Sequence, residues 1–249
     1  MVDIAYKRAP ITEAVIGINF SSPLSEKELS TLSRKLSKLY PDEQIIPSLS
    51  LKVGIPDNNF ENAQTTVVKE DTYRLSRENM TQIIVLSRTS FLFSQLAPYQ
   101  GWNQFFDSFV NTWAIKAKAI GYKEISRIGV RYINRIDIPY ENDLIEYENY
   151  LNIYPLVPKS LGALNAYATQ INLPITKIGC QLTINSAVVE SPIINHRAFV
   201  IDLDIFSEVN IPKIDTDIFN LLKQIRLEKN RLFEECITDN TRNLFNREL

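Results

Sequence analysis

Asp202 and Asp204 stand two apart in FVIDLDIF, a spacing that places both carboxylates on one face of a strand. By the same alternation, ISRIGVRYINRIDI puts Arg127, Arg131, Arg135 and Asp137 on one face and Ile128, Val130, Tyr132, Asn134 and Ile136 on the other. If the two strands lie side by side, guanidiniums and carboxylates pair across the ladder. Such groups can serve as cross-strand ion pairs, each worth a fraction of a kcal/mol to ~1 kcal/mol. They can also hold a divalent cation between the carboxylates, or a phosphate or acidic peptide on the arginines. The metal version is the weaker, since the Asp pair has no third ligand that the sequence names.

Other chemistry finds little support. His196 is the only histidine and sits in the polar SPIINHR just before a strand, which reads as a loop residue rather than a triad base. GxSxG, Walker and GxGxxG patterns are absent, and 7 glycines leave little backbone for cradling phosphates. Cys180, within an apolar alternating run, and Cys236, near the end of a helix, read as core or edge thiols. No catalytic residue, metal ligand or cofactor is assigned, and an enzyme with a scattered active site stays open.

These residues need strands to present them and helices to cover the opposite face. Ile11 to Phe20 alternates as a half-buried strand. LSEKELSTLSRKLSKLY spaces Leu29, Leu32, Leu36 and Leu39 by three and four behind a Ser25/Glu28 capping box, predicting a helix that stops before Pro41. Pro41 to Gln64 reads as loops around a short strand at Leu49, Leu51 and Val53. From Thr65 the runs TTVVKE, TYRLSR, TQIIVLSR and TSFLFSQL predict an antiparallel meander. Trp102, Phe105, Phe106, Phe109, Val110 and Trp113 form a helical stripe ending at Gly121. Tyr140 to Gly162 reads as irregular, with one short helix near Leu144 to Leu151. Strands at 166–173, 177–185 and 198–206 and a helix from about Thr216 to Ile237, capped by Asp215, complete the chain.

The expected class is α+β: a largely antiparallel sheet packed on one face by about three long helices, with a weak internal duplication of a strands-then-helix unit. It reads as one domain over 1–249, or as two halves, 1–139 and 163–249, joined by the irregular segment. At 249 residues, 45% hydrophobic and 22% charged, the chain can bury a core and is not a disordered polymer. With 27 basic against 29 acidic residues there is no overall basic field for nucleic acid. Two distant cysteines, no apolar leader within Met1 to Pro10 and no run of spanning length predict a cytoplasmic protein without a membrane partner.

Four segments, APITEAVIGINF, RIGVRYINRIDIP, FVIDLDIF and KNRLFEECITDNTRNLF, together resemble a sporadically distributed prokaryotic family of unknown function. Its members share a P-I-x-E-A strand, a G-x-R-Y-x-N-R-I strand and a C-terminal F-x-x-x-I-T motif. The resemblance covers essentially the whole chain and carries no catalytic residues. It implies a mobile gene of the anti-phage defence or toxin–antitoxin kind, and a binding or regulatory subunit with a protein partner encoded nearby and self-association left open. Family-like positions are Glu13, Arg131, Asn134, Arg135, Asp202, Asp204, Asn230, Thr238 and Asp239. The candidate binding residues are therefore Arg127, Arg131, Asn134, Arg135, Asp202 and Asp204. The alternative expectation is a nucleic-acid or nucleotide binding or processing protein that uses the same Arg/Asp face.

Overall fold

A computed structural model describes residues 6–54, 64–140, 146–162 and 164–246. Among them are nine strands and four α-helices, an α+β protein whose strands pair antiparallel. The chain divides into two compact units.

The first unit comprises Met1–Gly17, Gln95–Gln100 and Ser126–Leu249. Its strands are β1 (Ile11–Phe20, whose last three residues belong to the second unit), β6 (Ile125–Pro139), β7 (Ala168–Ile175), β8 (Cys180–Glu190) and β9 (His196–Ser207), side by side in the order β1-β6-β9-β8-β7. Alternation in β6 works as the sequence predicts: Ile128, Val130, Tyr132, Asn134, Ile136 and Ile138 are buried on the inner face. Helix α3 (Asp215–Cys236) covers that face with Ile218, Leu222, Ile225 and Phe233, and the Lys229 ammonium lies 3.7 Å from the centre of the Tyr132 ring. Asp215 is not its cap: Ile214 holds the cap position without a side-chain bond, and Asp215 sits in the first turn, where its charge meets the positive end of the helix dipole. At Ile237 the backbone turns extended, φ −121° and ψ 157°, and a separate short helix, α4 (Asp239–Asn246), folds Phe245 back onto Phe233 and Tyr6.

The irregular segment expected to join two halves lies inside this first unit. Residues 144 and 145 of the anticipated short helix fall outside the described residues, and its remainder holds a single 3-10 turn, Tyr147–Asn149. It is pinned by Thr238 Oγ1 donating to the Asn149 carbonyl at 2.6 Å and Thr241 Oγ1 donating to that of Tyr150 at 2.6 Å. A turn held from outside in this way needs no helix propensity of its own.

The second unit, Ile18–Ser94 with Gly101–Ile125, holds α1 (Glu26–Leu36), β2 (Asp42–Gly54), β3 (Gln64–Ser76), β4 (Gln82–Leu86), most of β5 (Ser90–Leu96) and α2 (Trp102–Ile120). The aromatic stripe of α2 is core: Phe93 stacks on Phe105 at 5.4 Å and Phe91 meets Trp113 edge-on at 5.8 Å. Gly121 closes that helix at φ +68° with its N–H on the Ala117 carbonyl, as the sequence predicts. Two expectations change here. The short strand at 49–53 is a 13-residue strand, and TTVVKE and TYRLSR are one strand, β3, paired with β2 along its whole length. Pro47 is accommodated within β2 because, among the described residues, β2 ends the strand order, and an edge strand tolerates a proline whose missing N–H would face outward.

Candidate binding face on the outer side of the β6/β9 sheet

In the first unit the sheet has an inner face under α3 and an outer face of polar side chains. Register sets what meets there. Arg131 lies opposite Asp204, which in turn lies opposite Thr183, and Ile133 lies opposite Asp202, which in turn lies opposite Asn185. The ion pairs run diagonally to this register. Arg131 donates from Nε and Nη2 to the two oxygens of Asp202 at 2.8 and 2.7 Å, a planar bidentate pair. Arg127 donates to Asp204 at 2.7 Å and approaches Glu208 at 3.7 Å. The Asn185 amide adds a third bond to Asp202 at 3.1 Å.

The diagonal arrangement has a local cause at Gly129. A Cβ there would lie 2.7 Å from both the Phe206 Cβ and the Ile205 carbonyl oxygen. Phe206, directly opposite in register, therefore occupies the space above the glycine, and the Arg127 guanidinium stacks 3.9 Å from its ring centre. Arg127 and Arg131, on either side of the glycine, each reach past their cross-strand neighbour.

The electrostatics arise from burial. Asp202 is only 4% exposed, yet all its charge is answered by Arg131 and Asn185. Burial holds the Asp204 carboxyl above its ordinary range, with Arg127 opposing that rise. The Arg131 guanidinium is pushed further up by its hydrogen bonds to Asp202, and Asp204 and Glu13 add to the effect. Three guanidiniums, Arg127, Arg131 and Arg135, thus share the surface with the carboxylates of Glu13, Asp137, Asp202, Asp204 and Glu208. The face carries more negative than positive charge.

Of the six candidates, the structure brings together Arg127, Arg131, Asp202 and Asp204. Arg135 points to the same side but pairs within its own strand, with Asp137 at 3.1 Å, and Ser191 donates to that carboxylate at 2.7 Å. Asn134 stands apart: it is 2% exposed on the inner face, and its amide donates to the Ile201 carbonyl at 3.0 Å, stitching β6 to β9 beneath α3. Sequence reasoning missed Asn185 and Glu208. Alternation in CQLTINS already sets Gln181, Thr183 and Asn185 on one side; what was missing was that this side adjoins the aspartates. Among the other family-like positions, Thr238 and Asp239 belong to the α3–α4 junction, where Asp239 and Glu234 hold Arg242 at 2.7 and 2.8 Å, and Asn230 lies half-buried on α3.

His196 opens β9 and its Nδ1 lies 2.9 Å from the Ile194 carbonyl oxygen. Burial pushes the Cys180 and Cys236 thiols up to about 11, so neither is an activated nucleophile. Among the described residues no three His, Cys, Asp or Glu side chains gather as a metal ion needs, and no helix is long and apolar enough to cross a membrane. No protein-family model matches the chain, and no curated protein is similar to it.

Proposed function

We propose that this chain is a non-catalytic binding or regulatory subunit that acts through a protein partner, and that the outer β6/β9/β8 face is where it binds. The observation that carries this reading is the bidentate Arg131–Asp202 pair within a face on which each guanidinium is paired and carboxylates are in excess. Already hydrogen-bonded, such a surface offers fixed donors and acceptors to a folded partner at little entropic cost. A phosphate backbone would instead require free cations, and here each arginine is engaged by a carboxylate. The same excess of carboxylates ranks nucleic acid or nucleotide behind protein. Membership of a mobile anti-phage defence or toxin–antitoxin-like system is proposed on the sequence resemblance alone.

The test is to express the tagged chain with its native neighbouring genes, purify it, and read bound protein by mass spectrometry and bound nucleic acid by absorbance ratio. A stoichiometric protein companion without nucleic acid is expected. Nucleic acid that survives moderate salt, with no companion, would overturn the reading.

A further inference from the structure

We infer that the partner of the outer β6/β9/β8 face is a folded protein other than a second copy of this chain, and that it meets the face with lysines and arginines. This rests on the proposal that the chain binds through that face, and adds to it the chemistry of what binds. Arg127 and Arg131 stand among four carboxylates, Asp202, Asp204, Glu208 and Glu13, while Arg135 and Asp137 beside them neutralise one another. Four carboxylates around two guanidiniums leave two negative charges over.

The surplus does not lie on Asp202, which three hydrogen bonds answer. It lies on the carboxylates around it. Arg127 donates to a single oxygen of Asp204, and that bond does not return the carboxyl to its ordinary range, because burial outweighs it and Asp202 adds repulsion. Glu208 is held more loosely: its carboxylate stays 3.7 Å from Arg127 Nε, beyond hydrogen-bond reach, and its side chain is 58% exposed. Glu13, half-buried on β1, adds its charge beside Arg131. A cation brought to these carboxylates gains their attraction without breaking an existing pair, since each guanidinium keeps the oxygens it already holds. An anionic ligand meets the same surplus as repulsion. Two-fold pairing of the face with itself would set surplus against surplus, which disfavours a second copy.

The probe is the companion recovered when the chain is co-expressed with its neighbouring genes, purified alone and followed by interferometry over the immobilised full chain. Glu13→Gln with Glu208→Gln removes the surplus charge and keeps the side-chain shapes. Glu78→Gln with Glu148→Gln removes as much charge from exposed positions outside the face. The first pair should slow association about fivefold with little change in dissociation, and the second should leave both rates near those of the parent. Glu208→Gln alone, at an exposed position that folding tolerates, should slow association about twofold. For the parent chain, raising salt from about 0.05 to 0.5 M should slow association as well. Association unchanged in the Glu13/Glu208 variant, or slowed equally by the two pairs, would overturn this inference and leave the binding-subunit reading standing. Recovery of the chain by itself, as monomer or dimer, or with nucleic acid and no companion, would overturn both.

Discussion

Replacing Arg131 by alanine removes both guanidinium bonds to Asp202 and leaves a 4% exposed carboxylate with only the Asn185 amide at 3.1 Å. Breaking a buried pair on one side costs about 3–5 kcal/mol. Two features lower that figure here: the Arg131 side chain is 47% exposed, so solvent already screens the pair, and water can enter the space it vacates. The net expectation is roughly 2 kcal/mol, or about 4–8 °C in Tm for a chain of this length. Asp202→Asn should cost about half as much, since it frees a guanidinium that water readily solvates, and the double variant should cost little more than Arg131→Ala alone. Urea unfolding of the four proteins, analysed as a double-mutant cycle, should return a coupling of just under about 1 kcal/mol. A loss below about 0.5 kcal/mol for Arg131→Ala, with an unchanged urea slope, would show that Asp202 is solvated in the native protein and would refute the account of the face as a rigid network.

Gly129→Ala should destabilise by roughly 2–3 kcal/mol, because the new methyl meets the Phe206 Cβ and the Ile205 carbonyl oxygen at 2.7 Å; a Tm within about 2 °C of the parent protein, on the same conversion, would show that the strands separate freely there. Glu28, bonded by Lys123 and by Ser25 at the start of α1, titrates at about 2 rather than 4.5. A depressed carboxylate contributes stability above its unfolded value and loses it as pH falls through the folded one, so this contribution should fade between about pH 4.5 and 2, and Glu28→Gln should flatten that part of the stability curve. Neither Cys180 nor Cys236 should react with an aromatic disulfide at about pH 8 until the chain is unfolded, because both thiols are buried and titrate near 11; rapid labelling of the native protein would contradict that.

What the sequence made legible was periodic. The α2 stripe, the Ser25/Glu28 capping box and the alternation in β6 each appear where spacing placed them, because burial on one face imposes that spacing. Breaks were read less well. The stretch from Pro41 read as loop ahead of a short strand, and TTVVKE and TYRLSR as two strands, yet Pro47 and Asp71 lie opposite one another in the β2–β3 ladder, where pairing overrides local propensity. The separate helix α4 was hidden because RLFEECITDNTRNLF continues a helical pattern; the turn at Ile237 comes from bonds to residues almost 90 positions away. At the site, alternation named the arginines and aspartates, but not their diagonal partners. Register between β6 and β9 is a property of two distant segments, and the Gly129–Phe206 pair that shapes it is silent in either one alone.

The most direct test of the central claim compares the parent protein with a Gln181→Arg, Thr183→Arg double variant, each tagged and co-expressed with the neighbouring genes. Thr183 lies opposite Asp204 and Gln181 opposite Phe206 on the outer face, and neither belongs to the ion-pair network. The account predicts a stoichiometric protein companion on the parent chain and its loss from the variant at unchanged Tm. A companion retained by the variant, or nucleic acid gained by both proteins alike, would contradict it.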